Sequence, residues 1–238
     1  MRFIFTYIFI CISFLVFAQN NIFDFSNLSF SSRSSAMGGD LITIYDNDIN
    51  ISSINPSYLN AEMQNTISLS FVDYYSDINY FSTVFSSKIN KIGPLVFGFF
   101  GINYGSFVES DEIGNVIGDF HSGEYMFSVG GSKKISDKLH IGANLKILHS
   151  NLYNISATAL SSDLSSVYNI ENASFTILFK NIGRTVKNYS NIDYSLPFKI
   201  QIGAYSKLKH LPLAFSLVYN NLQDFNHLSS NLNNDLTF

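Results

Sequence analysis

From about residue 65 onward the chain is written in period two. Ile141, Ala143, Leu145 and Ile147 alternate with His140, Gly142, Asn144 and Lys146. Phe175, Ile177 and Phe179 alternate with Ser174, Thr176 and Lys180, and Ile200, Ile202 and Ala204 with Lys199, Gln201 and Gly203. Ile67, Leu69 and Phe71 alternate with Ser68 and Ser70. Successive side chains of a strand point to opposite faces, so each run presents one apolar and one polar face. Coiled as helices, the same segments would carry apolar residues all round the cylinder. The pattern predicts strands over 66–73, 78–88, 93–107, 120–135, 139–152, 155–168, 173–183, 197–207 and 211–222. Several reach the roughly 9–11 residues that a tilted membrane strand requires, against about 5–6 in an ordinary globular sheet.

Composition narrows the class. Of 238 residues, 46% are hydrophobic and 16% aromatic, with 23 Phe, 14 Tyr and no Trp, which is too apolar for a disordered chain. Only 13% are charged, about half the fraction in an average soluble domain. Fourteen basic residues against 18 acidic ones give a net charge of −4, with no basic cluster, so a nucleic-acid partner is not expected. Beyond the first 20 or so residues, no apolar run approaches the ~20 residues of a membrane-spanning helix.

The first residues read as a secretory signal peptide, 1–18. Arg2 supplies the positive charge, Phe3 to Phe17 is almost wholly apolar, and Val16-Phe17-Ala18 offers a small residue at the cut. Cleavage between Ala18 and Gln19 removes Cys11, the one cysteine, so the mature chain has no disulfide, zinc thiolate or cysteine nucleophile. Cys11 lies mid-run behind Ile10, a poor position for lipidation.

Residues 19–64 differ in character from the strand-rich remainder of the chain. They are rich in Ser, Asn and Asp, and read as an irregular segment with one or two short helical turns, Gly38-Gly39 permitting a sharp turn. Residues 65–238 form the strand-bearing domain. Its connections alternate: Asn90-Lys91, Ser136 to Lys138, Asn169 to Asn172 and Lys209-His210 read as tight turns, whereas Glu109 to Asp119 and Arg184 to Leu196 read as long polar loops. Short turns on one side and longer loops on the other is the asymmetry of an outer-membrane β-barrel. Tyr74, Tyr75, Tyr80, Tyr104 and Tyr125 lie near strand ends, which fits either an aromatic girdle or ordinary β-propensity. Nine strands cannot close a single-chain bacterial barrel, which has an even count, and residues 223–238 lack alternation, so the expectation is a barrel truncated at its C-terminus.

A search for chemistry returns little. Asp46-Asn47-Asp48 begins like a calcium loop, but position 6 is Ile51 rather than Gly and position 12 is Ser57 rather than Glu. The five histidines are dispersed, without i, i+2 or i, i+4 pairs. Gly130-Gly131-Ser132-Lys133 falls within a strand, without the glycine spacing of a phosphate loop. No catalytic residue, cofactor or metal ligand is therefore assigned, and an enzyme is not expected.

Ser32-Arg33-Ser34-Ser35-Ala36-Met37-Gly38-Gly39, then Asp46-Asn47-Asp48, then Asn55-Pro56-Ser57-Tyr58-Leu59, resembles the N-terminal pattern of the PorV/PorQ family. These are FadL-like outer-membrane barrels of the Bacteroidetes type IX secretion system. Within that pattern Arg33, Ala36, Met37, Gly38, Gly39, Asn55 and Pro56 are the motif positions, and Ser57 stands where Ala is commoner. The resemblance continues through Ser70 to Tyr80, Gly101 to Phe107 with Asp111 to Asn115, Ile141 to Lys146, Lys180 to Gly183 and Leu196-Pro197-Phe198, and covers about residues 18–223. It implies an all-β, antiparallel transmembrane barrel of about fourteen strands when complete, about nine of them visible here, with the N-terminal segment folded inside or beneath it as a hatch. It also implies a cell-surface attachment complex, in which such a barrel holds a PorZ-like surface subunit, and through it a PorU/PorV-like complex that fixes C-terminal-signal cargo to lipopolysaccharide. The family implies no catalytic residues.

A second reading shares the barrel and hatch: a FadL-type transporter of hydrophobic small molecules, which requires a continuous apolar pocket between hatch and wall. A third is a soluble exported β-sandwich. The outward faces separate them, because a sandwich hides its apolar face in a core and a barrel displays it to lipid.

Overall fold

The computed structural model describes residues 22–44, 46–89, 93–190 and 194–224. The signal peptide with its Ala18–Gln19 cleavage site, the turn at Asn90-Lys91, Ile192 and the tail from residue 225 onward lie outside the described residues.

All nine expected strands are present: β1 Ile67–Asp73, β2 Asn79–Ile89, β3 Gly93–Ser110, β4 Val116–Lys134, β5 Leu139–Leu152, β6 Ile155–Ile170, β7 Ala173–Lys187, β8 Lys199–Lys207 and β9 Ala214–Tyr219. They form one sheet in sequence order, every pair antiparallel. A β-sandwich would divide them between two sheets, so that expectation is corrected. No helix among the described residues is long and apolar enough to cross a membrane.

One of the two expected long loops, 109–119, is mostly strand, and the other, 184–196, begins as strand over its first four residues. β3 and β4 run 18 and 19 residues and close on a turn of only Asp111 to Asn115, so the segment expected as a loop from Glu109 to Asp119 is a tall hairpin. Asp111 builds that turn, its Oδ1 accepting the N–H groups of Ile113 at 3.0 Å and Asn115 at 2.7 Å. Two register shifts obscure the alternation there, between Asn103 and Ser106 and between Glu109 and Ser110. β7 likewise continues to Lys187, beyond the expected end at 183, while β9 is shorter than 211–222.

Residues 22–64 make a compact segment of short pieces: two helices, α1 (Ser32–Ala36) and α2 (Ile49–Ile54), and 3-10 turns at Asp24–Asn27, Pro56–Tyr58 and Ala61–Met63. Ser31 caps α1 through Ser34 N–H, and Asp48 caps α2 through Asn50 N–H. Helices this short draw their stability from packing rather than propensity. Phe23, Phe25, Phe30, Ile49, Leu59 and Met63 accordingly bury against Val84, Val96, Phe100, Ile102, Met126 and Leu148 of the sheet. A second cluster joins Leu41, Ile44, Ile51 and Tyr58 to Val167. The five residues Asn55 to Leu59 reach side chains on β4, β6 and β7. The segment reaches across the sheet, from Ser82 of β2, which donates to the Phe30 carbonyl, to Ser216 of β9, whose hydroxyl pairs with that of Thr43.

Candidate functional site

The face of the sheet toward the N-terminal segment and the face away from it have opposite chemistry, in the reverse of a water-soluble order. Outward, Phe99, Phe127, Ile147 and Leu160 stand in one row across β3 to β6, each opposite the next. All four are exposed, as are Leu145 at 69% and Leu217 at 75%. Inward, the rows one residue over read Ser128, Lys146, Ser161 and Gly130, Asn144, Asp163, all buried. Of the five tyrosines expected near strand ends, Tyr104 and Tyr125 lie in the interior of β3 and β4; Tyr74, Tyr75 and Tyr125 are exposed, while Tyr80 and Tyr104 pack inward against the core. Those two correct the girdle expectation.

The motif positions are divided between the surface of the N-terminal segment and its contact with the sheet. Arg33 reaches Asp46 at 2.6 Å and Asp48 at 3.2 Å, which ties α1 to the cap of α2. Hydrogen bonding to Asp46 holds its guanidinium proton more tightly than usual. Ala36 and Met37 are exposed. Gly38 and Gly39, at φ 99° and 92°, occupy backbone that L side chains rarely adopt, and so end α1, with Gly39 N–H donating to Ser34 carbonyl at 2.8 Å.

Asn55 and Pro56 are buried at the wall. Asn55 Nδ2 donates to the Ile42 carbonyl at 2.9 Å, and its Oδ1 accepts Ser57 N–H at 3.2 Å and Ser57 Oγ–H at 2.7 Å. Ser57 thereby satisfies its extra hydroxyl without cost to the buried turn. Its N–H also donates to Ser165 Oγ on β6, Tyr58 OH pairs with Thr176 Oγ1 on β7 at 2.6 Å, and Ser132 Oγ on β4 donates to the Leu59 carbonyl at 2.6 Å. Gly142 makes this approach possible: a Cβ there would stand 2.3 Å from Ser57 N. The contacts fall near the β4–β5 and β6–β7 turns, so the motif seals the short-turn end of the sheet.

Halfway along the sheet lies a buried ionic group that the sequence reading did not single out. Two residues of β7, Lys180 and Asn181, oppose the single Asp163 of β6 at a bulge. Asp163 Oδ1 meets Lys146 Nζ at 2.7 Å and accepts Asn181 N–H at 2.8 Å. Lys146 also donates to Asn181 Oδ1 at 2.6 Å, and Asn181 Nδ2 donates to Asn27 Oδ1 and the Pro197 carbonyl. Asn144 Nδ2 donates to the Ser53 carbonyl at 2.9 Å. The group thus binds wall to N-terminal segment. The signal for it lay in Asn144, Lys146, Asp163 and Lys180 occupying the polar phase of three neighbouring strands.

Beside it, between segment and wall, is a cavity of about 30 Å³ lined by Ser26, Ser31, Ser53, Ser82, Ser128, Lys146, Asp163 and Lys180 together with Leu28, Phe30, Asn50, Ile54, Phe100 and Met126. A wider, open cleft of about 640 Å³ separates β7 residues Asn181 to Thr185 from Tyr194 to Phe198. At the far end of the sheet the β3–β4 hairpin exposes Val108, Ile113, Val116 and Ile117. Asp111 at its tip is held below the usual carboxylate range, first by its hydrogen bond from the Asn115 side chain. Among the described residues no group of His, Cys, Asp and Glu is placed to hold a metal, Asp46 and Asp48 being engaged by Arg33.

No family model matches the chain, and no curated protein matches it.

Proposed function

We propose that this chain is a non-enzymatic outer-membrane β-barrel component of a type IX secretion system, a PorQ-like anchor for the surface attachment complex. The observation that carries membrane residence is the inverted polarity of the sheet. An apolar face extending from β1 to β9 is a far larger patch than a soluble protein exposes, and lipid is the solvent that suits it. Strands of 14 to 19 residues from β3 to β7 exceed what is needed to cross the hydrocarbon. With short turns in the periplasm, the N-terminal segment enters as a hatch from that side, and the β3–β4 hairpin projects outward.

Two observations favour the anchor over the transporter. The cavity between segment and wall is about 30 Å³, and Lys146, Asp163 and Lys180 stand among its apolar lining residues, where a fatty acid needs a long apolar pocket. The projecting hairpin carries Val108, Ile113, Val116 and Ile117 among Glu109, Asp111 and Glu112, a mixture that suits a partner contact of apolar anchors within a polar rim. The PorZ-like partner and its PorU/PorV-like complex come from the family resemblance.

Deletion of the gene should release cargo bearing C-terminal sorting domains from the cell surface while leaving fatty-acid uptake unchanged. Co-purification with a large surface subunit should be lost when residues 109–119 are replaced by a Gly/Ser linker. Normal cargo attachment in the deletion strain would falsify the reading, and recovery of the mature chain in the soluble fraction without detergent would remove the barrel.

A further inference from the structure

The charges about the 30 Å³ cavity do not balance. Lys146 and Asp163 neutralise one another at 2.7 Å, both almost fully buried. Lys180 is 7% exposed, lines the same cavity, and makes no hydrogen bond or ion pair among the described residues. Among the charged residues that line the cavity, Lys146 and Lys180 thus face the single carboxylate of Asp163. An uncompensated buried charge is strongly unfavourable in a folded protein. Ser26 presents a second unanswered group, for its Oγ is buried, lines the cavity and has no hydrogen-bond partner.

We propose that the cavity binds one small monovalent anion, chloride in an exported protein, held by the Lys180 ammonium and the Ser26 hydroxyl. Water fits the space but leaves the positive charge in place. Phosphate and carboxylate ligands do not fit, since 30 Å³ is room for about one or two water-sized bodies. The anion bridges wall and N-terminal segment, because Lys180 belongs to β7 whereas Ser26, Ser31 and Ser53 belong to the segment. Its role is to lock the segment in place. The inference rests on the export and membrane residence proposed above, and holds whichever partner the outer surface meets.

The test is thermal unfolding of the full mature chain in detergent, in sodium chloride against sodium gluconate at equal ionic strength. Gluconate is too large to enter. Chloride and bromide should raise the melting temperature by roughly 3 °C or more, saturating with concentration. The increment should vanish in Lys180→Met and shrink in Ser26→Ala. Equal melting in the two salts overturns the proposal, as does a chloride increment that survives in Lys180→Met. Should that variant not fold, crystals of the unaltered protein grown in bromide decide: an anomalous peak in contact with Lys180 supports the site, and its absence overturns it.

Discussion

The two faces of the same nine strands are governed by opposite rules. On the inner face most buried polar side chains have a named partner, Lys146 in Asp163 and Asn144 in Ser53, and the half-buried Ser132 meets Leu59, while Lys180 finds none among the described residues. On the outer face apolar side chains are exposed and touch little beyond their cross-strand neighbours. Specificity therefore resides inside, where a wrong residue leaves an unsatisfied group, and tolerance outside, where one apolar residue serves as well as another. The difference teaches where variants should be severe.

The largest effect is expected inside. Asp163→Leu leaves Lys146 and Lys180 buried together and should cost about 3–5 kcal/mol, read by urea unfolding in detergent or vesicles. The double variant Lys146→Met with Asp163→Leu should recover much of that loss. If the two single losses simply add, the pair is not coupled and the inner face is less exacting than argued.

Next come changes that tell lipid from water outside. Leu145→Arg should destabilise the protein folded in vesicles by about 2–4 kcal/mol. A residue so exposed would cost within about 0.5 kcal/mol if water covered it, so a neutral result breaks the comparison at its centre.

A smaller loss is expected where the N-terminal segment docks. Gly142→Ala forces a Cβ against Ser57 N and should cost about 1–3 kcal/mol, with faster protease cleavage within residues 22–64. Asn55→Ala, which takes the partner from the Ile42 carbonyl and from the Ser57 hydroxyl, should act in the same range. Cleavage unchanged in both would show that the segment is held by its apolar residues alone.

The smallest effect is at the β3–β4 tip. Because the Asp111 carboxyl is held below its ordinary 3.8, the turn gains stability that is present above that value. That stability fades as pH falls through the lower, folded-state value. Hydrogen exchange at the Asn115 amide should accelerate on acidification below about pH 4, and not in Asp111→Asn, where the charge is already absent. Exchange insensitive to pH in the unaltered chain, after correction for intrinsic rates, would exclude the carboxylate as the turn's organiser.

Strand number, strand order and the alternation of an apolar with a polar face were legible in the sequence, because period two is a local property that one residue's neighbours suffice to set. The ends were less legible. At Gly105 and at Glu109–Ser110 the register shifts change which residues face which way, and the strands of the tall hairpin then read as polar loop. The N-terminal segment was recognisable as irregular and partly helical, but nothing in Asn55-Pro56 said that it would meet Gly142 and Ser165, more than eighty residues away.

By itself the sequence determined that the chain forms a long-stranded antiparallel sheet with one apolar and one polar face, because alternation at this length allows little else. Only the tertiary structure decided which face turns inward and what it encloses. That choice depends on a segment with its own buried Phe, Ile and Tyr residues and many backbone groups in need of partners. It also depends on a bulge that sets Lys180 and Asn181 opposite Asp163. Such contacts are made between residues far apart in the chain, where no local period carries a signal.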